Sequence, residues 1–210
     1  MRDGNRARGR RALNLSENAI LLLTVASLTA CKGHAHLLDG LPRIFEQFPK
    51  ARLALVGQGE LKHALYDRVA DLGITDRVKF LGYRTDIPDL LSAADLFIMP
   101  SIEEGLCTSL LDAMVTGVPV VTTSAGGIKD AVGAYCKDGP YGYMVAPRDS
   151  EQLCDAIIEA LTHPDRSSLL AARAREYVFS KFTHRQMIEG TLSAYHEWLT
   201  NSPRYAARSA

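Results

Sequence analysis

The sequence predicts an α/β fold, a doubly wound parallel sheet of Rossmann type with helices on both faces. Short apolar runs of strand length alternate along the chain with longer segments whose apolar residues recur at helical spacing. The runs show little polar alternation, as expected of strands that are buried on both faces. The length of 210 residues fits one such domain with additional helices.

Composition excludes several classes of protein. The 24 basic residues balance the 24 acidic ones, so there is no overall attraction to nucleic acid or to a membrane surface. The four cysteines form no C-x-x-C pair, which argues against a zinc ribbon and favours free thiols. They are Cys31, Cys107, Cys136 and Cys154. No stretch is long and apolar enough to span a bilayer.

The N-terminal segment allows two interpretations. Residues 1–18 are basic and rich in turn formers, which predicts a frayed tail or the remnant of a linker. The apolar run 19–26, followed by Leu28 to Cys31, resembles a lipoprotein leader. However, Glu17 and Asn18 separate the basic cluster from the apolar run, so a buried first strand is favoured over a leader.

Breakers and periodicity define the elements in order. The first strand precedes a helix that Pro49 ends, and glycines end the second strand, the next helix and the third strand. The predicted strands are residues 19–26, 52–56, 78–81, 96–99, 118–122 and 143–145. The predicted helices are residues 37–48, 61–72, 87–94, 105–116, 128–132, 151–161, 166–179 and 183–199.

Ligands of such folds bind at the carboxyl ends of the strands, where the strand order reverses. The loops at those ends hold many of the glycines and several acids. They are residues 27–33, 57–60, 82–86, 101–105 and 124–130.

Gly105 stands where the helix after the fourth strand is predicted to begin. The amides of Leu106, Cys107 and Thr108 would then be unpaired at the positive end of the helix dipole, and such a helix start binds phosphate. The alternative is ordinary N-capping, which every helix needs.

Asp112 is unusual in the middle of an otherwise apolar helix. A carboxylate in that setting needs a partner. It lies about two turns, roughly 10 Å, beyond Gly105 on the same face, where it could accept the hydroxyls of a ribose. The alternative is a salt bridge to a neighbouring element, and spacing alone does not choose between them.

Lys32 follows the first strand and could reach a phosphate at the strand ends. The alternative is a solvated lysine beside the start of a helix, which has the same sequence pattern. Gly57–Gln58–Gly59 resembles half of a dinucleotide fingerprint. It follows the second strand and not the first, which argues against a nicotinamide-binding domain. The histidines lack the spacing of metal ligands.

The motifs together resemble a known family. Residues 101–114, followed by 117–121, resemble the E-x(7)-E region of retaining, nucleotide-sugar-dependent glycosyltransferases of family 4, which have the GT-B architecture. Further segments similar to that family follow in the same order, at residues 55–60, 76–82, 87–95, 125–128 and 142–147. An ordered set of motifs is more specific than any one of them.

The resemblance implies a role for each matched position. Glu104 would contact the donor sugar as the catalytic residue, and Asp112 would hold the ribose. The pyrophosphate would lie against Lys32 and residues 105–108 (Gly105, Leu106, Cys107 and Thr108). The base would lie against Gly82, Tyr83 and Arg84. No metal or cofactor is implied, and UDP is favoured over GDP or ADP as the nucleotide of the donor.

Three positions depart from the family pattern. Asp112 is one methylene shorter than the usual Glu, and Cys107 stands where Gly is common and could crowd the phosphate. Ser27 replaces a frequent phosphate-binding Arg, which leaves Lys32 with less help.

The resemblance also implies a domain organisation. The chain would be the C-terminal, donor-binding half of a GT-B enzyme, with residues 19–182 as the nucleotide-sugar-binding domain. Residues 183–200 would form a helix that crosses to an N-terminal half, and residues 201–210 a tail. The crossing helix would expose apolar side chains, namely Leu192, Tyr195 and Trp198.

The implied reaction transfers a hexose, with retention, from a nucleoside-diphosphate sugar to a glycan or lipid-linked acceptor. The alternative is a non-catalytic nucleotide-sugar-binding module, or a subunit that needs a separate N-terminal acceptor domain. The expected location is cytoplasmic, with peripheral contact at the inner membrane face left open. No nucleic acid partner is expected.

Overall fold

The computed structural model describes residues 4–132 and 140–201, and within them six strands form one parallel sheet. The strand order is β3-β2-β1-β4-β5-β6, with every neighbouring pair parallel. The strands are β1 Ile20–Val25, β2 Ala51–Val56, β3 Val78–Gly82, β4 Leu96–Met99, β5 Val120–Thr123 and β6 Tyr143–Val145. The predicted fold class is confirmed.

Helices cover both faces of the sheet, and a helix follows each of the six strands. They are α1 Arg6–Ala12, α2 His34–Gln47, α3 Lys62–Asp71, α4 Ile87–Ala93, α5 Thr108–Thr116, α6 Ile128–Val132, α7 Ser150–Thr162, α8 Pro164–Lys181 and α9 His184–Asn201. A short 3₁₀ turn, Ala30–Lys32, precedes α2. The bounds of the predicted elements shift by a few residues.

The core consists of two layers separated by the sheet. Successive side chains of β1 alternate between them, because side chains of a strand point to opposite faces. Leu21 and Leu23 belong to the layer that contains Leu110 of α5, and Leu22 belongs to the layer that contains Leu38 of α2. All three β1 leucines are at most 1% exposed, as predicted for a strand buried on both faces.

The expectation of a frayed tail before β1 is wrong for α1. Asn5 caps this helix by accepting a hydrogen bond from the Arg8 amide at 2.9 Å. The Arg8 guanidinium binds Asp89 of α4, with an N–O distance of 2.9 Å, and Leu13 is 2% exposed in the core. The sequence pattern did not indicate this ion pair because Asp89 lies far from Arg8 along the chain. Residues 1–3 lie outside the described residues.

Helix α9 presents an apolar surface to solvent. All its residues are exposed, and Leu192, Tyr195 and Trp198 have exposed fractions of 62%, 64% and 67%. The exposure predicted for these three side chains is therefore confirmed. Helix α9 includes Asn201, the first residue of the predicted tail, and residues 202–210 lie outside the described part of the chain. Within the described residues, no helix combines the length and apolarity needed to traverse a membrane.

Candidate functional site

The strand order reverses between β1 and β4, which lie side by side in the sheet. β2 and β3 extend to one side of β1, and β5 and β6 extend to the other side of β4. The loops after β1 and β4 therefore leave the same edge of the sheet at the point where a doubly wound fold opens a crevice.

Backbone contacts join these two loops. The carbonyl of Cys31 accepts hydrogen bonds from the amides of Ile102 and Glu103, at 2.7 and 3.2 Å. Gly33 has a φ of 65°, and a Cβ there would lie 2.0 Å from the carbonyl oxygen of Pro100. Only glycine permits this approach. The two loops thus form one rigid floor for the crevice.

Lys32 and Glu104 meet across this floor, although the sequence separates them by 72 positions. Lys32 Nζ lies 2.9 Å from Glu104 Oε1 and 2.7 Å from Oε2. Ser101 Oγ donates the third hydrogen bond to this carboxylate, to Oε2 at 3.1 Å. The Lys32 and Glu104 side chains are 20% and 9% exposed. A cation and a carboxylate, both predicted as site residues, therefore form one mostly buried pair.

The loop after β5 supports Glu104 from the other side. The Gly127 amide donates to the Glu104 carbonyl at 3.3 Å. A Cβ on Gly126 would lie 1.9 Å from that carbonyl oxygen, and one on Gly127 would lie 2.3 Å from the carbonyl oxygen of Gly105. The double glycine lets two protein backbones approach each other, which fixes residues 104–105 in place.

The start of α5 differs from the sequence prediction. The helix begins at Thr108, three residues later than Gly105, and the Thr108 amide donates to the carbonyl of Leu106 at 3.1 Å. Leu106 and Cys107 therefore precede the helix. The Thr108 amide, which was expected to be unpaired, is already engaged within the loop.

Cys107 points into the protein core. Its side chain is 3% exposed and belongs to the layer around α5, so it does not crowd the crevice as the sequence comparison had suggested. Burial, and next the charge of Glu104, raise the pKa of the Cys107 thiol to about 11. The thiol is neutral at physiological pH. The thiols of Cys31, Cys107 and Cys154 are free, and Cys136 lies outside the described residues.

Asp112 lies four residues beyond the first residue of α5, one turn or roughly 6 Å along the axis. Its carboxylate forms no hydrogen bond or ion pair with any residue in the ranges 4–132 and 140–201, so the expected alternative of a salt bridge is not found there. Partial burial raises the pKa of Asp112. The carboxylate is desolvated at an energetic cost and is free to accept hydrogen bonds from a ligand.

The segment proposed to face a base, Gly82 to Arg84, begins at the last residue of β3, which is an edge strand of the sheet. Gly82 has a φ of 63°, and the Tyr83 side chain is 74% exposed. Arg84 pairs with Asp86, with its Nε 2.8 Å from Oδ1, and this hydrogen bond lowers the pKa of the Asp86 carboxyl. This loop lies at the carboxyl ends of the strands, as Lys32 and Glu104 do, and the loop after β2 separates it from them.

Two structural residues of the site escaped the sequence analysis. Ser101 binds Glu104, and its carbonyl accepts a hydrogen bond from the Thr123 hydroxyl. The second structural role belongs to His34, which is buried at 2% exposed and whose Nε2–H donates to the carbonyl of Ser27 at 2.9 Å. Burial lowers the pKa of His34. A serine directly after an apolar strand was the available signal for Ser101.

The model of the family described as "Glycosyl transferases group 1" matches residues 5–177. The chain belongs to this family. The match and the fold confirm the prediction of a C-terminal domain of GT-B architecture.

Individual members of the glycosyltransferase family are moderately similar to the chain. It is 28% identical, over 88% of its length and 47% of the relative's, to the N-acetyl-alpha-D-glucosaminyl L-malate synthase of Bacillus anthracis. It is 29% identical, over 92% of its length and 54% of the relative's, to the lipopolysaccharide core biosynthesis glycosyltransferase LpsE of Rhizobium meliloti. The chain therefore spans about half the length of the relatives it matches.

A solved structure also matches the chain over about half of its own length. The crystal structure of Anabaena Alr3699/HepE in complex with UDP-glucose superposes with a TM-score of 0.79 and 29% identity, over 90% of this chain and 52% of that one. The described residues of the present chain contain no cluster of three or more His, Cys, Asp or Glu side chains that could bind a metal ion.

Proposed function

We propose that this chain is the donor-binding half of a retaining glycosyltransferase. The complete enzyme would transfer a hexose from a nucleoside-diphosphate sugar to a hydroxyl of a glycan or lipid-linked acceptor. The observation that carries the proposal is the pairing of Lys32 with Glu104 at the reversal between β1 and β4. Family membership alone would not say which residues bind the donor.

Lys32 is the group best placed for the diphosphate. Its ammonium lies at the floor of the crevice, and its present partner is a carboxylate, which a doubly charged diphosphate can replace. The loop of residues 105–107 and the positive end of α5 would add backbone donors. These groups stabilise the charge that develops on the leaving diphosphate without a metal ion.

Glu104 and Asp112 would hold the two sugars of the donor. Once the diphosphate has drawn Lys32 away, Glu104 can accept hydrogen bonds from hydroxyls of the transferred hexose. Asp112, which is partly buried and has no partner among the described residues, would accept the ribose hydroxyls. The exposed ring of Tyr83, between Gly82 and Arg84, would stack on the base.

UDP is the preferred nucleotide in this proposal. The Anabaena structures that resemble the chain were determined with UDP and with UDP-glucose. Their identity of 28–29% to this chain supports a uridine donor and leaves GDP and ADP as the comparison ligands in an experiment.

The acceptor would bind to a second, N-terminal half. The chain spans about half of its relatives, and α9 exposes Leu192, Tyr195 and Trp198, which would pack on that half. The second candidate, a nucleotide-sugar-binding module or subunit that is inactive alone, draws on the same observations. A cytoplasmic location, with peripheral contact at the inner membrane face, stays a prediction.

Calorimetric titration of the chain with UDP, GDP, ADP, NAD and UDP-glucose tests the proposal. We expect UDP and UDP-glucose to bind, and Lys32→Met to weaken both by about tenfold, the effect of losing one charge-assisted hydrogen bond. Lys181→Met, at an exposed position at the end of α8, is the matched control and should leave binding unchanged. Binding of NAD without UDP would refute the proposal.

Turnover separates the two candidates. Hydrolysis of UDP-glucose, or transfer from it, by the chain alone would support an enzyme that needs no second half. Binding without turnover would support the module or subunit.

A further inference from the structure

Ser101 occupies a fully buried position between two strands and Glu104. It is 0% exposed and follows the end of β4 by two residues. Its Oγ donates to Glu104 Oε2 at 3.1 Å, and its carbonyl accepts the hydroxyl hydrogen bond of Thr123. Thr123 ends β5 and is 2% exposed. A buried chain of hydrogen bonds thus connects the sheet to the Glu104 carboxylate.

The two oxygens of Glu104 have different partners. Within the described residues, Oε1 receives a hydrogen bond from Lys32 alone, at 2.9 Å. Oε2 receives one from Lys32, at 2.7 Å, and one from Ser101. When an anion draws Lys32 away, Oε1 loses its partner while Oε2 keeps the serine hydroxyl.

We propose that Ser101 is a positioning residue that holds Oε2 of Glu104 while Oε1 accepts a hydroxyl of the donor hexose. This inference rests on the proposed function of Glu104 and adds a means of orienting it. A carboxylate at the end of a flexible side chain would otherwise rotate when Lys32 leaves, and a fixed orientation lowers the entropic cost of binding the sugar. The serine is neutral, so it does not compete with Lys32 for the diphosphate.

The inference separates two roles of the same residue. The carbonyl of Ser101 supports the loop through Thr123, and Ser101→Ala keeps that bond because only the side-chain hydroxyl is removed. A loss caused by Ser101→Ala therefore reports on the hydroxyl and its bond to Glu104. Thr122→Val is the matched control, because Thr122 is equally buried, at 0% exposed, and its hydroxyl donates to the carbonyl of Tyr143, away from Glu104.

The test is calorimetric titration of the full chain with UDP and with UDP-glucose. UDP lacks the hexose, so the ratio of the two affinities measures the contribution of the sugar. We expect Ser101→Ala to leave UDP affinity within twofold and to weaken UDP-glucose by about tenfold, the effect of one hydrogen bond to a charged group at the lower end of its range. Thr122→Val should leave the ratio unchanged.

A Glu104→Ala background gives the decisive comparison. If Ser101 acts through Glu104, Ser101→Ala added to Glu104→Ala should not change the ratio further. An equal loss of UDP and UDP-glucose affinity in Ser101→Ala, an unchanged ratio, or an effect that persists without Glu104 would overturn the positioning role. Ser101→Cys, which keeps the volume with a poorer donor, replaces Ser101→Ala if thermal unfolding shows that the alanine variant does not fold.

Failure of the inference is distinguishable from failure of the proposed function. If the unaltered chain binds neither UDP nor UDP-glucose, the proposed function is refuted and the role of Ser101 with it. If the unaltered chain binds both and the variants do not behave as above, only the positioning role is refuted.

Discussion

Replacing Glu104 by Gln should tighten the binding of UDP. In the unliganded chain, Lys32 Nζ lies 2.9 and 2.7 Å from the two Glu104 oxygens, so a diphosphate must compete with the carboxylate for the ammonium. Gln keeps the shape and removes the competing charge. It also removes a negative charge near the incoming diphosphate, and both effects favour binding.

The structure sets the size of this effect. A hydrogen bond to a charged group contributes about 1.5–3 kcal/mol. The Lys32 side chain is 20% exposed, so water screens part of the interaction, and the lower end of the range is appropriate. About 1.4 kcal/mol corresponds to a tenfold change in affinity, so we expect UDP to bind Glu104→Gln roughly tenfold more tightly. UDP-glucose should gain less, because the carboxylate that accepts its hexose hydroxyl is lost.

The opposite variant, Lys32→Met, should destabilise the fold. It leaves a carboxylate that is only 9% exposed without its counter-charge. Removing one partner of a buried pair costs about 3–5 kcal/mol, and the remaining bond from Ser101 reduces this to about 2 kcal/mol. In a chain of this length, such a loss lowers the midpoint of thermal unfolding by about 4–8 °C.

The assay is calorimetric titration with UDP, combined with thermal unfolding followed by circular dichroism. Glu103→Gln is the matched control, because the neighbouring Glu103 is exposed and its substitution makes the same change in net charge away from Lys32. An unchanged or weaker UDP affinity in Glu104→Gln, or an equal gain in Glu103→Gln, would refute competition for Lys32.

Three further predictions follow from burial. The raised pKa of Asp112 means that the folded chain holds this proton more tightly than the unfolded chain, so the contribution of Asp112 to stability falls as pH rises through the unfolded and then the folded pKa. Asp112→Asn should match the parent midpoint of thermal unfolding below the ordinary aspartate pKa of 3.8, exceed it by about 1–2 °C near pH 7, and bind UDP more weakly. Equal midpoints at low pH and near pH 7 would contradict this. Iodoacetamide near pH 8 should label the partly exposed Cys31 before Cys107, whose thiol pKa of about 11 keeps it neutral, and peptide mapping that finds equal rates would disprove the burial argument. Leu13→Ala should lower the free energy of unfolding by about 2–3 kcal/mol and the midpoint of thermal unfolding by about 5–10 °C. Leu169→Ala is the control, because Leu169 is 61% exposed, and it should change the midpoint little. Equal effects would show that the segment after α1 is not part of the core.

The fold was accessible from the sequence because most of its information is local. Each strand is a short apolar run, and breakers such as Pro49 and Gly117 stand where helices end. The α1 helix was missed because its stability is not local. Its arginines, taken alone, predict a solvated segment. Asp89 comes close to Arg8 only when the chain has folded.

The site was accessible only in part. Lys32 and Asp112 were identified from their positions in the predicted elements, and Glu104 from the family resemblance. The contact between Lys32 and Glu104 depends on which strands become neighbours. The start of α5 was placed too early because Gly105 resembles a helix boundary. In the structure, the Gly105 carbonyl packs against Gly127, and this contact lies outside the range of local sequence patterns.

The pairing of β1 with β4 has a consequence for how the chain folds. Leu22 lies opposite Leu96, so this contact closes a long loop, and contacts of large sequence separation form slowly. β1 and β2 can pair without β4, but Lys32 and Glu104 meet only after β4 has docked. The crevice is therefore absent from any intermediate that lacks this contact. Capture of a nucleotide during refolding would report the completion of the central sheet, at a stage when helical circular dichroism can already be near its final value.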